Sequence, residues 1–210
     1  HCVKCGHVLS WYELVPILSF IVQRGRCREC KGSISLQYPL VEIGTAILFV
    51  LIFYYSLPLL YTLAISCLLI VIFVYDYLYQ EILPEVIWVG AIAGLLFNLY
   101  LGISLAPMLI GLVAAGGFFL LQFVVSKGRW IGGGDVRMGA MMGIWLGWPA
   151  VLVALFLAYI IGAACGLLLI VYSKKNLNSA TPFGTYLALG TFVVLLWGNQ
   201  ILQWYTGLLR

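Results

Sequence analysis

The chain has 210 residues, 64% of them hydrophobic and only 9% charged, with a net charge of +4. About a quarter charged is usual for a soluble domain, so this composition excludes one and indicates a polytopic membrane protein. The basic residues stand at the ends of apolar runs rather than along one face, which is the pattern that sets membrane topology and argues against a nucleic-acid partner.

The chain opens on His1 rather than Met, with Cys2 starting a motif at once, so an upstream segment such as a signal anchor or a further span is expected. Residues 1–37 hold seven charged side chains, five of them basic: Lys4, Arg24, Arg26, Arg28 and Lys31. They read as a small extramembrane module. Its apolar middle, Leu9 to Val22, contains Glu13 and Pro16 and is too short to cross a hydrocarbon core needing about 20 residues, so it is expected to lie on the membrane surface or on the module.

Cys2, Cys5, Cys27 and Cys30 form two C-x-x-C pairs separated by twenty-one residues. That spacing is the one in which two knuckles each give two thiolates to a single tetrahedral zinc ion. Two disulfides or a redox pair are the alternatives, and a reducing compartment decides for metal. With so little core of its own, the module would draw much of its folding free energy from the ion. Cys67 and Cys165 stand alone in apolar runs and read as small packing residues.

From Tyr38 the chain is apolar segments with brief breaks, and spans are predicted over 39–56, 58–77, 83–102, 104–126, 135–148, 150–173 and 183–205. The 135–148 segment is short for a bilayer and rich in Gly and Met, so it is expected to pack against neighbouring helices rather than lipid. The pairs Gly90/Gly94, Gly139/Gly143 and Gly162/Gly166 read as helix-packing contacts. No internal repeat of the transporter kind is visible. The predicted fold is therefore an all-α polytopic membrane protein with about seven membrane segments, a cytoplasmic zinc module at 1–37 and a helical bundle at 38–210.

Charge fixes the orientation. One side collects the module's five cations with Lys127, Arg129, Lys174 and Lys175, and Arg137 just inside a helix mouth; the other holds only Arg210. By the positive-inside rule the first side is cytoplasmic, which places the four cysteines among reducing thiols.

The same alternation brings Asp76, near the end of the 58–77 segment, and Asp135, after Gly132-Gly133-Gly134, to cytoplasmic helix ends. Carboxylates are expensive at such depth and are functional candidates by default. Two carboxyl groups sharing a proton and a water can hydrolyse a peptide bond, one taking a proton from the water while the other gives one to the carbonyl oxygen. The three glycines can adopt positive φ and let a substrate backbone approach, and they are expected to break the helix and admit water. The plainer readings are a helix cap for Asp135 and interfacial solvation beside Tyr75, Tyr77 and Tyr79 for Asp76. Glu81 and Glu85 flank Pro84 as acids at the start of a helix. Glu42 could pair with Arg137, position a substrate amine, or reach the interface.

With Gly132-Gly133-Gly134-Asp135 read as G-x-G-D, the chain resembles the bacterial prepilin peptidases, the leader peptidases of type IV pilins and pseudopilins. The likeness covers almost the whole length. It includes the paired knuckles, Gly25-Arg26-Cys27, the run Ser33 to Glu42, Asp76 followed by Ile82-Leu83-Pro84-Glu85, and Pro182-Phe183-Gly184. The resemblance implies an intramembrane aspartic endopeptidase of the bacterial cytoplasmic membrane that cuts a basic leader from a prepilin on the cytoplasmic side, with Asp76 and Asp135 as catalytic aspartates. It implies, in many members, methylation of the new N-terminus with S-adenosylmethionine, although no nucleotide-binding loop is visible here. Its partners are the prepilin and membrane lipid. Glu85 stands where an Asp is common and Thr185 where a Pro is common; neither departure is expected to touch the aspartates. The competing class is a proton- or cation-coupled transporter with a zinc-bound cytoplasmic cap, against which stand the placement of both acids near one face and the lack of repeat symmetry.

Overall fold

The computed structural model describes residues 1–55, 58–173 and 182–208. They form two compact units, His1–Tyr54 and Tyr55–Arg210. Among the described residues there is no β-strand, only an isolated bridge between Arg26 and Ser33.

In the first unit a 3-10 turn at Trp11–Glu13 and the short helix α1 (Leu18–Val22) precede the long helix α2 (Gln37–Tyr54). Pro16 breaks the apolar stretch between the two short pieces because it lacks an N–H and constrains the residue before it. Ile17 follows with φ of 63°, an outlying conformation for a β-branched residue. Its N–H donates to Glu42 Oε2 at 2.7 Å, a bond spanning 25 residues that ties this stretch to α2. Within its own unit Glu42 thus serves a main-chain donor.

The second unit runs α3 (Leu59–Tyr79), α4 (Pro84–Tyr100), α5 (Leu105–Ser126), α6 (Gly133–Leu146), α7 (Ala150–Ser173) and α8 (Phe183–Leu208). Each predicted segment is a helix, with ends shifted by a few residues. Helices α2, α3, α5, α7 and α8 are long and apolar enough to cross a membrane, and α4 is a shorter apolar helix. Boundaries follow local chemistry. Pro84 opens α4 at a position where its missing N–H costs nothing, and Ser104 Oγ caps α5 by accepting the Ala106 N–H at 3.4 Å. Lys174, Lys175 and Arg210, counted for orientation, and Ser56, the last residue of the first predicted span, lie outside the described residues.

Helix α6 is the inner element. At 14 residues it reaches only about 21 Å, so its ends fall within the bundle, and it touches α4, α5, α7 and α8. Small residues bring it close to α5. Gly143 lies on the Gly111 backbone, and a Cβ at Gly116 would stand 3.1 Å from Ala140 Cβ. On its other side Trp145 fills the notch left by Gly90 and Gly94, and its Nε1 donates to Gly90 O at 2.8 Å. The last carbonyls of a buried helix need donors. Asn98 Nδ2 supplies Ile144 O at 2.8 Å and Trp145 O at 3.3 Å, and the Tyr61 hydroxyl adds a bond to Trp145 O at 3.2 Å.

The glycine pairs therefore pack as expected with one exception. Gly162 lies against Tyr186, but Gly166 has no neighbour where a Cβ would be. Cys67 also departs from its reading: it is exposed on the outer side of α3, while Cys165 is half-buried. Both misses have one cause. An apolar all-round helix does not reveal in its sequence which face meets lipid and which meets protein.

Candidate active site

Gly132, with φ of −81° and ψ of 158°, is the N-cap of α6, and Asp135 is the third residue of that helix. The glycines therefore do not adopt positive φ. They start α6 rather than break it, and the close approach they permit is internal. A Cβ at Gly134 would stand 3.1 Å from Ile82 Cβ, whereas Gly133 faces open space. Asp135 turns back on its own helix: its Oδ2 accepts the Gly132 N–H at 3.0 Å. The cap reading thus survives in altered form, with the acid in the first turn instead of at the N-cap. A carboxylate there also meets the positive end of the helix dipole.

Asp76 lies in the last turn of α3 and is only 4% exposed, against 8% for Asp135. Interfacial solvation does not describe it, because it points inward to the start of α8. Asp76 Oδ2 accepts two hydrogen bonds from one residue, the Thr185 N–H at 2.7 Å and the Thr185 hydroxyl at 3.0 Å. Thr185 is the third residue of α8, where main-chain N–H groups have no partner within the helix. So Asp76 caps a helix 109 residues away, just as Asp135 closes its own. Each carboxylate is held through Oδ2 at a helix N-terminus.

Ile82 stands between the two sites. Its side chain packs against Gly134, one residue before Asp135, and against Gly184; a Cβ on Gly184 would come within 2.7 Å of Ile82 Cδ1 and 3.0 Å of Asp76 Cγ. The two acids are close enough for their charges to interact. Phe183 carries an aromatic cluster beside them, with ring centroids 5.0 Å from Tyr159, 6.0 Å from Phe119 and 6.4 Å from Tyr186. Tyr159 is within electrostatic reach of Asp135 and Tyr186 of Asp76.

Thr185 was expected to lie clear of the aspartates; the structure puts it directly on Asp76. The nearby Pro182-Phe183-Gly184 run was visible in the sequence, but a main-chain N–H carries no sequence signature of its target. Glu85 lies in the first turn of α4, as expected of an acid after Pro84.

In the first unit the four cysteine sulfurs lie within 4.8 Å of one another, and the Cys2 and Cys30 sulfurs are 4.0 Å apart. Four thiolates around zinc at about 2.3 Å stand about 3.8 Å from each other, so the set fits a tetrahedral ion. All four are free thiols. The two knuckles repeat one backbone pattern. Cys2 O accepts the Gly6 N–H at 2.9 Å and Cys27 O accepts the Lys31 N–H at 3.0 Å; Cys2 N–H reaches His7 O and Cys27 N–H reaches Gly32 O, each at 2.8 Å. Gly6 at φ 73° and Lys31 at φ 55° make the same left-handed turn. Behind the cluster, Glu13 Oε2 accepts the Ser10 N–H at 2.9 Å and lies 3.4 Å from His7 Nε2, contacts that hold its carboxyl below the usual range.

Sequence comparison decides what these sites belong to. Residues 1–56 match the bacterial peptidase A24 N-terminal domain, and residues 63–167, with Asp76 and Asp135 inside them, match the type IV leader peptidase family. The chain belongs to the type IV leader peptidase family. It is a membrane-embedded peptidase rather than a coupled transporter. Among similar proteins is the prepilin leader peptidase/N-methyltransferase of Aeromonas hydrophila, 37% identical over 97% of this chain and 73% of that one. Proteins of the same name from Pseudomonas putida and Legionella pneumophila are 32% and 29% identical, over 95% and 98% of this chain and 72% and 75% of theirs. No solved structure gives a significant match. Within this leader peptidase the N-terminal family match, 1–56, nearly coincides with the first compact unit, His1–Tyr54.

Proposed function

We propose that this peptidase removes the leader from type IV prepilins or pseudopilins, with Asp76 and Asp135 as its acid and base, at the cytoplasmic face of the bacterial inner membrane. The observation that carries the reading is that two buried carboxylates, from helices far apart in sequence, are each held by Oδ2, with Ile82 packed against Gly134 next to one and Gly184 beside the other. That leaves the Oδ1 atoms for a water and a peptide carbonyl. One aspartate takes a proton from the water as its oxygen attacks the carbonyl carbon, and the other donates its proton to the carbonyl oxygen. Collapse of the tetrahedral intermediate breaks the C–N bond and returns a proton to the leaving amine.

Lys127 and Arg129 on the loop between α5 and α6 support the cytoplasmic assignment, since they lie a few residues before Asp135. A prepilin presents a basic leader outside the bilayer and an apolar helix within it, so a site at that boundary meets the scissile bond with little unwinding. Cys2, Cys5, Cys27 and Cys30 would hold one zinc ion, whose role is to fold the module. The relatives' names also carry N-methyltransfer, which draws on S-adenosylmethionine. Among the described residues there is no strand, and so no strand–glycine turn–helix unit of the kind that cradles an adenosine; the residues do not fit that pattern and no step is assigned to the group.

The test is leader removal from a purified prepilin, followed on a gel. Asp76→Asn and Asp135→Asn should each lower kcat by at least about a hundredfold while the protein remains folded, because an amide cannot exchange the proton. Cleavage at the wild-type rate by either variant rejects the pair.

A further inference from the structure

We propose that Thr185 is the positioning residue of Asp76, fixing which carboxylate oxygen is spent on structure and which is left for the reaction. The inference rests on the catalytic reading of Asp76 and goes beyond it to a residue outside the matched span, 63–167.

The geometry is asymmetric in a way that needs a cause. Asp135 is held by a single donor, the Gly132 N–H, and Asp76 by two from one residue. Both Thr185 donors converge on Oδ2, and among the described residues no donor stands on Oδ1. A carboxylate rotates about its Cβ–Cγ bond in a broad, roughly two-fold well, so one hydrogen bond leaves it free to swing. Two donors fixed to the same residue do not. Thr185 is itself fixed: it is 4% exposed and sits in the first turn of α8 behind the Phe183 cluster. Gly184 closes the other side, with no room for a Cβ between Asp76 and Ile82. The plane of the Asp76 carboxyl is thus set from α8, and Oδ1 is the oxygen left without a donor among the described residues. The main-chain N–H supplies what any non-proline residue would. The hydroxyl is the part that this side chain adds, and the part that substitution can remove alone.

Three variants test this on the full chain with a purified prepilin, measuring kcat, KM and melting temperature. Thr185→Val keeps volume, β-branching and the N–H but loses the hydroxyl; kcat should fall about tenfold with KM within twofold of wild type, the size expected for losing one hydrogen bond to a charged group. Thr185→Ser should restore kcat to within about threefold of wild type. Thr185→Ala serves if the valine variant does not fold, with the same expected loss.

Wild-type kcat in Thr185→Val or Thr185→Ala overturns the proposal, as does a loss that serine fails to recover, or a rise in KM at constant kcat. Asp76→Asn run beside them separates the two failures. If it is inactive while Thr185→Val is unimpaired, only the role of Thr185 falls; if it cleaves, the catalytic reading of Asp76 falls first.

Discussion

Gly184 lies so close to Asp76 that a Cβ on it would stand 3.0 Å from both the carboxylate carbon and Oδ2. A contact that tight forces a neighbour to move. Ile82 Cδ1, at 2.7 Å on the other side, is a flexible tip and can give way; the carboxylate, tied to Thr185, can move only by losing its bonds. Gly184→Ala is therefore expected to displace Asp76 more than it unfolds the protein. A shift of about 1 Å in a reacting group can cost about a hundredfold in rate, so kcat on a prepilin should fall by about that factor with a small change in melting temperature. Unchanged kcat would mean that the carboxylate tolerates displacement and that its held geometry is not needed.

The glycines of the α5–α6 contact make a contrast within one pair of helices. Gly143 meets the backbone of Gly111 and Leu112, which cannot rotate out of the way, whereas Gly117 on α5 faces open space. Gly143→Ala should push the helices apart and destabilise by ~1–3 kcal/mol or more. Gly117→Ala should be neutral or stabilise by up to about 1 kcal/mol, since alanine favours helix. Thermal unfolding in detergent compares the two, and similar melting temperatures for both variants would contradict this account of the interface.

What could be read from the sequence divides along physical lines. Helix limits were legible because each apolar run is interrupted by residues that punctuate backbone: Pro58, Pro84, Ser104 and Gly147-Trp148-Pro149. The clustering of the four sulfurs was legible because their spacing is itself geometric, and Asp76 and Asp135 stood out as candidates because a carboxylate in an apolar run is costly. The grip of Thr185 on Asp76 was not, since it crosses 109 residues and half of it comes from a main-chain N–H. Nor was the conformation of Gly132 to Gly134. Glycine permits positive φ without requiring it, and here the helix start and the packing of Ile82 decide.

Asn98 offers a test of the far end of α6. Its amide nitrogen serves two carbonyls that no residue of the helix can reach, at 2.8 and 3.3 Å, and it is 1% exposed. Asn98→Leu leaves the Ile144 carbonyl buried without that donor, while Trp145 O retains the Tyr61 hydroxyl at 3.2 Å. Stability should fall by ~1–3 kcal/mol, the cost of an unsatisfied buried group. The residue lies at the opposite end of α6 from Asp135, so kcat per folded molecule should stay within about twofold of wild type. A large kcat loss without destabilisation would show that this end of α6 reports on the aspartates.

The cysteine module gives a prediction in metal content and pH. Main-chain N–H groups of Lys4 and Cys5 hold the Cys2 thiol down to about 6. Despite the lowering contact from the His7 N–H, desolvation and the neighbouring Cys30, Cys2 and Cys27 sulfurs push Cys5 up to about 11. One thiolate thus forms readily and disfavours the next, until a cation arrives to displace the remaining protons. Binding releases protons, so affinity rises with pH through the neutral range and is lost on acidification as even Cys2 is protonated. Purified reduced protein should carry about one zinc per chain at pH 7.5 and lose most of it below about pH 5.5, measured by metal analysis after desalting at graded pH. Cys27→Ser removes the one buried thiol of the set and should abolish retention and lower the melting temperature of the module. Full zinc content in Cys27→Ser, or content that does not vary with pH, would place the ion elsewhere; catalysis should decline only through the loosened module, leaving Asp76 and Asp135 able to cleave at a reduced rate.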